Sequence, residues 1–558
     1  TKDVFCTLPA TKAVIEDANS DVTLPADLNV AVDLDVDGNT TTDGITNDGN
    51  FSTDGGSIKL DGNYPTGSNN VAMGDNALNS VASDGNSNTI IGNNAGTAIT
   101  TGDLNTGVGA GALLGTNTAS NNTAFGGISL CANTTGACNT AVGACALQEN
   151  TTASYNTGIG FKSLGVNTTG QENTAIGWTS LDANTTGSNN TSLGSQSLSG
   201  NTTASDNTAI GKNSLRANTT ASQNTAIGTN SLRDNTTGAN HVAIGFNTLV
   251  ANTTADCNTV MGRCAMFTNT TGAKNTAVGV QAQFSTTTGS DNVSMGRNAL
   301  YTNSTGGCNT ALGSTSMFRN ETASNNTAVG FGSLYNTTTG AQNTAMGTCS
   351  LNANTTGANN VAVGYQALDS NTTANENVAV GRCSLFSNTE GTKNIAVGSY
   401  ALDTNTTGDK NVAIGYQALD ANTTADNNTA VGDSALKANT TGACNTAVGL
   451  CALQANTTAA DNTAFGACAL ALNTTGTANV AVGICSLNAN TTGSNNVSIG
   501  RRALDSNTTA SNNTAVGKQA LEANTTGASN TAVGCAALSA NTTGGSNTSL
   551  GVQSLLAN

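Results

Sequence analysis

Several groups of residues in this chain have the types and spacing that chemistry asks for. The largest is a set of 14 cysteines in 558 residues. Cys138 and Cys145, Cys257 and Cys264, and Cys444 and Cys451 are each seven apart, and that recurrence argues for side-by-side placement and disulfide pairing. Cys451, Cys468 and Cys485 follow one another at 17-residue intervals, so Cys468 to Cys485 reads as a bridge between successive repeats. Cys6, Cys131, Cys308, Cys349, Cys383 and Cys535 have no obvious partner and read as buried free thiols or inter-chain links. This cysteine usage favours an oxidising, extracellular setting. No paired C-x-x-C spacing marks a zinc site.

Asp33, Asp35 and Asp37, followed by Gly38, begin like a calcium loop. The twelfth residue of that loop is Gly44, where a bidentate Glu is needed, so calcium is a possible cofactor with an incomplete ligand set. Asn-Thr-Thr triplets at Asn422, Asn439, Asn456, Asn507 and many other places fit the glycosylation pattern N-x-[ST]. A ladder of turn-forming asparagines explains them without sugar and is the stronger reading. Phe161, Trp178, Phe246, Phe331, Tyr365 and Tyr416 share one offset in the repeat and could stack on sugars. That offset is also an outward bend where any residue is tolerated, as Lys212, Arg263, Arg297, Arg382, Arg501 and Lys518 show. The single histidine, His241, has no nucleophile or carboxylate pair around it in sequence, so the chain does not read as an enzyme.

The elements that must position these residues are nearly identical. Asn411 to Asn427, NVAIGYQALDANTTADN, is one copy of a 17-residue unit whose anchor Asn returns from Asn88 to Asn547 without insertion or deletion. Numbered from that anchor, position 1 is Asn, position 2 Thr or Val, position 3 small, position 4 apolar and position 5 Gly. Positions 8 and 9 are commonly Ala or Ser, then Leu, and positions 12 to 14 read Asn-Thr-Thr. His241 is the one departure from Asn at position 1 of the array. A fixed short period rich in Thr, Asn, Gly and β-branched residues predicts stacked strands rather than helices. Each coil adds about 4.8 Å, so 28 anchors predict a rod of roughly 130 Å.

Alternation within the unit puts positions 2 and 4 on one face, and the apolar strength of position 4 marks that face as the core, with Ile414 and Leu419 its main residues. Ala418-Leu419 reads as a second short strand. The small residues at positions 3 and 8, such as Ala413 and Ala418, then point away and suit lateral association. Rows of Thr in the turn suggest ice-binding solenoids, but adjacent threonines cannot both face outward.

Composition separates two regions. Residues 1–69 form an acidic, non-repeating attachment or capping region, and 70–558 form the solenoid array. All three prolines precede the array, and residues 1–87 carry 14 Asp/Glu against 3 Lys/Arg. Nucleic acid is an unsuitable partner for a chain of net charge -16. No apolar run is long enough to span a membrane. At Asn558 a coil stops at its twelfth position, which predicts either a removed segment or an open end that meets another subunit.

NTAVG at Asn428 to Gly432, followed by Ala435-Leu436, resembles the repeats of trimeric autotransporter adhesin heads and of phage tail or receptor fibres over residues 70–558. The resemblance implies a parallel β-roll, left-handed, in a homo-oligomer whose three rolls pack about an axis. The expected protein is therefore an all-β parallel β-solenoid. Its expected role is a structural extracellular, cell-surface or virion fibre with adhesive or receptor contacts. A self-polymerising filament joined head to tail through its N-terminal region, and a glycan-binding rod, are the alternatives.

Overall fold

The computed structural model describes residues 67–556, all within the unit Leu60–Asn558. Asp33, Asp35, Asp37 and Cys6 lie outside the described residues. The described chain is a parallel β-solenoid of stacked coils, as the period predicts. It contains 29 three-residue strands, from β1 (Val71–Met73) to β29 (Thr548–Leu550), and no helix among the described residues. Each strand pairs in parallel with the next. Val412 lies beside Ile395 on one side and Thr429 on the other, one repeat away in both directions. After one 18-residue step from β1 to β2 (Thr89–Ile91), register follows from the unbroken 17-residue period, so like residues stack on like.

The strand faces the opposite way from the sequence expectation. Ala413 and its equivalents at position 3 are fully buried, whereas Ile414 at position 4 is 40% exposed. Ala418 and Leu419 are buried against the strand from the far wall of the coil. Positions 3 and 8 are therefore core and unavailable for lateral contact. The reason is width. One short strand and one facing turn enclose so little space that Ala opposite Leu fills it.

Three departures from that pattern show how tight the fill is. Ile90 replaces the usual Ala at position 3, and its coil has Gly96 where others have Leu. The next coil has Gly107 beneath it, where an added Cβ would sit 3.0 Å from both Ile90 Cδ1 and Leu113 Cδ1. Volume gained at one core position is removed at its neighbours, as close packing requires.

No second strand forms at Ala418-Leu419. Residues 416–421 make a turn instead, with Gln417 at φ 52° and Leu419 at φ 53°. Left-handed backbone at a leucine is unusual. Here it aims the side chain into the core while the chain reverses within six residues. Gly415, at φ 137°, ends each strand in a conformation closed to other residues, and a Cβ there would run into the Gly432 carbonyl.

Asparagine ladders bind the coils together. The Asn428 amide donates to Asn411 Oδ1 at 3.0 Å, and Asn411 Nδ2 donates to the Ala425 carbonyl at 2.8 Å. Asn422 Nδ2, from position 12, reaches Asn405 Oδ1 at 2.8 Å and the same Ala425 carbonyl at 3.1 Å. Thr423 Oγ1 adds a third bond, to the Thr440 carbonyl at 3.2 Å. Buried amides satisfied coil after coil supply the cohesion that a core of Ala and Leu lacks.

Candidate functional surfaces

These ladders decide what the Asn-Thr-Thr triplets can do. Asn422, Asn439, Asn456 and Asn507 are fully buried. Each Nδ2 donates to the preceding ladder oxygen and to a carbonyl of its own coil, as in Asn439 to Asn422 Oδ1 and Gly442 O. The nitrogen that would carry a glycan is spent on the fold, so in the folded rod these are structural asparagines and not acceptors.

His241 is explained by the same geometry. Its Nδ1 accepts the Asn258 amide at 3.1 Å, replacing Asn Oδ1, and its Nε2 lies 2.6 Å from the Ala255 carbonyl, replacing Asn Nδ2. The network therefore assigns the neutral tautomer with hydrogen on Nε2. Burial pushes its pKa below the ordinary value, partly offset by the Ala255 carbonyl and the nearby Asp256 carboxylate.

The thirteen described cysteines are free thiols. Cys138, Cys257 and Cys444 stand just before an anchor and are exposed, while Cys145, Cys264 and Cys451 stand half-buried after the strand. The strand between the members of each pair carries the chain about 10 Å, farther than a disulfide spans. The proposed pairs flank the same strand without meeting. Cys468 and Cys485 do occupy successive coils, and both remain thiols. Burial pushes the Cys131, Cys349, Cys383 and Cys485 thiols above their ordinary pKa, which keeps them protonated and poorly nucleophilic at neutral pH.

Trp178, Phe246, Phe331, Tyr365 and Tyr416 are each between 49% and 58% exposed, at the bend after the strand. Phe161, 44% exposed at the same offset, precedes Trp178 by one coil, and from Trp178 onward successive rings stand roughly 10 to 24 Å apart along the rod as separate anchors. Tyr416 meets the edge of Tyr400, centroids 6.3 Å apart, and Arg382 lies 5.5 Å over Tyr400.

A different aromatic column is continuous. Phe267, Phe284, Tyr301, Phe318 and Tyr335 occupy position 10 in five successive coils, with centroids 5.0 to 5.4 Å apart and planes within 9°. All five are half-buried, and their faces are used on one another. The signal that could have found them was their spacing of 17. The same column turns acidic further on. Burial, and then the neighbouring Asp420 carboxylate, push Asp403 up to about 6, and its Oδ1 is buried without a partner. Lys437, one coil beyond Asp420, donates instead to Gln417 Oε1 at 2.8 Å.

The outer face of the sheet runs the length of the described coils. Of the 29 strands, 20 begin with Thr and the others with Val or Ile; all end in Val, Ile, Leu, Met or Phe. Neither column contains a charged residue. Among the described residues no group of His, Cys, Asp or Glu is arranged to hold a metal, and no helix is long and apolar enough to cross a membrane. A shallow hollow of about 270 Å³ is lined by Gln148, Glu149, Lys162, Val166 and Asp182, and none of these side chains is a nucleophile facing a base. No family model matches the chain, and no curated protein matches its sequence.

Proposed function

We propose that this chain is a structural fibre protein of a cell surface or virion, in which the solenoid provides reach and the exposed aromatics provide contact. The observation that carries this reading is the unbroken stacking of 29 strands in one register. At about 4.8 Å per coil the stack amounts to a span of roughly 140 Å. Every buried side chain described above serves cohesion between coils. What varies from coil to coil is outward: the bend at position 6 and the column at position 10. A scaffold that fixes everything except a displayed row suits presentation rather than turnover. The NTAVG resemblance to adhesin heads and phage fibres supports the same role.

Adhesive contact, on this reading, is made by the separate rings Trp178, Tyr365 and Tyr416, each offering a half-exposed face to a sugar or a receptor side chain. Antibody labelling of intact source cells or particles tests the fibre role, with label on external threads expected and label confined to the cell interior refuting it. Glycan-array binding of the full chain tests the contact. It should be lost when Trp178, Tyr365 and Tyr416 are replaced together by Ala. Binding that survives the triple replacement removes these residues from the contact.

A further inference from the structure

We propose that the hollow at Gly165 binds a guanidinium group, as carried by arginine. The inference does not rest on the fibre reading or on its glycan contact. Position 10 supplies one side chain per coil to a column along the rod, and where that column is aromatic its members stack 5.0 to 5.4 Å apart. Gly165 is the one glycine at that position in the array from Asn88, so the column lacks a single layer there. Backbone geometry does not demand the glycine. Gly165 lies outside the left-handed region, and the three nearest contacts of an added Cβ are all atoms of Lys162 in the same turn, its carbonyl closest at 3.2 Å. Successive coils are about 4.8 Å apart, so the missing layer leaves a slot between Gln148 and Asp182 that is one planar group thick. The hollow measures about 270 Å³, small for a drug-sized ligand and sufficient for one long side chain.

The groups around the slot select its occupant. Glu149 and Asp182 set two carboxylates against one ammonium, Lys162, so the lining is net negative. Neither carboxylate is in an ion pair among the described residues. The Lys162 Nζ instead lies 5.6 Å from the centre of the Phe161 ring. Burial pushes Asp182 above the usual carboxylate range, while its own amide, the Lys162 charge and the Ala183 amide pull it back. A carboxylate drawn out of water without a cation in contact is stabilised when one arrives. Gln148 donates from Nε2 to Glu149 Oε1 at 3.1 Å, which leaves its own carbonyl and the second Glu149 oxygen to accept. An anion would face both carboxylates, and an ammonium is drawn by the charge but gains nothing from a flat slot. A guanidinium is planar, offers five N–H donors in a fork matched to a carboxylate, and is weakly enough hydrated to stack. Val166, also in the lining and 41% exposed, covers the methylene stem that carries it.

Calorimetric titration of the full chain with Nα-acetyl-arginine methylamide tests this. One saturable site per chain is expected, with a Kd on the order of 1 mM, as suits a few charge-assisted bonds in a half-open site. The citrulline analogue keeps the plane and loses the charge, and the lysine analogue keeps the charge and loses the plane; each should bind about tenfold more weakly or worse. Asp182→Asn should cost about tenfold or more, and Lys162→Ala should tighten binding. Gly165→Gln gives the column the residue it already has at Gln148, and should abolish binding with an unchanged circular-dichroism spectrum. Capped arginine bound as tightly as free arginine supports a side chain of a partner protein as the source, and free arginine bound more tightly supports the free amino acid. No saturable heat up to about 50 mM overturns the inference. So do citrulline bound as well as arginine, affinity unchanged in Gly165→Gln, or glucosamine bound in place of arginine, which makes the hollow a sugar site. None of these results bears on where the chain is displayed, so the fibre reading and this one fail separately.

Discussion

His241 gives the ladder a switch that no other coil has, and its behaviour can be worked out from two bonds. Neutral imidazole accepts the Asn258 amide at Nδ1 and donates from Nε2 to Ala255. Protonation puts hydrogen on Nδ1, where it faces the hydrogen of the Asn258 amide. The folded coil therefore resists the proton, and burial lowers the pKa in the same direction. A pKa lowered by folding means that the native state binds fewer protons than the unfolded chain, so stability is full above the free imidazole value and falls below it. A coil that stays neutral in acid loses stability through this linkage alone. If it does protonate, the stranded Asn258 amide costs about 1 to 3 kcal/mol. Both routes loosen the same place. The chain has one histidine, so its Cε1 proton resonance needs no assignment. It should titrate below the ordinary value, and hydrogen exchange corrected for intrinsic rates should show residues 236–262 losing protection in acid. His241→Asn restores the ladder and should abolish that loss. An imidazole titrating at its ordinary value with protection intact, or an acid loss that persists in His241→Asn, refutes the reasoning.

Gln283 occupies the core position that Leu fills elsewhere; its Nε2 makes long bonds to Thr276 O and Asn292 O, and its Oε1 has no partner. Gln283→Leu should stabilise the rod by about 2 kcal/mol in chemical denaturation, and an equal or lower midpoint contradicts this. Tyr301→Ala breaks two ring contacts at 5.2 and 5.0 Å. At about 0.5 to 1.5 kcal/mol per pair, local exchange should rise in coils 284–318 well beyond the effect of Tyr365→Ala, whereas Tyr301→Phe should be silent; equal effects of the two alanines argue against the stack. Asp403, raised to about 6 by burial and Asp420, binds protons more readily folded than unfolded, so its contribution is present in acid and lost as pH rises through about 6. Asp403→Asn should therefore stabilise the chain at neutral pH and leave it unchanged near pH 4 in urea melts; an equal gain at both contradicts the assignment.

What the sequence revealed and what it hid have one physical origin. The period, the register and the stacking were legible because Asn returns every 17 residues, and one hydrogen-bonding group repeated at fixed spacing can only ladder. Which way the strand faces was not legible, because alternation assigns residues to two faces without saying which is inside. Hydrophobicity named Ile414 as core, but the coil is too narrow for it, and size decided for Ala413. The compensation of Ile90 by Gly96 and Gly107 carried that information in the sequence, since only a crowded interior removes bulk from positions stacked on a larger residue. The cysteine spacing misled for a related reason. A recurrence of seven residues reports a recurrence of coil offsets, and offsets on either end of an extended strand recur as faithfully as offsets that touch. The aromatic column from Phe267 to Tyr335 and the two outer columns of the sheet obey the 17-residue rule as well. They became visible only once the inward face was known, because the residues that stack outward are those the core does not claim.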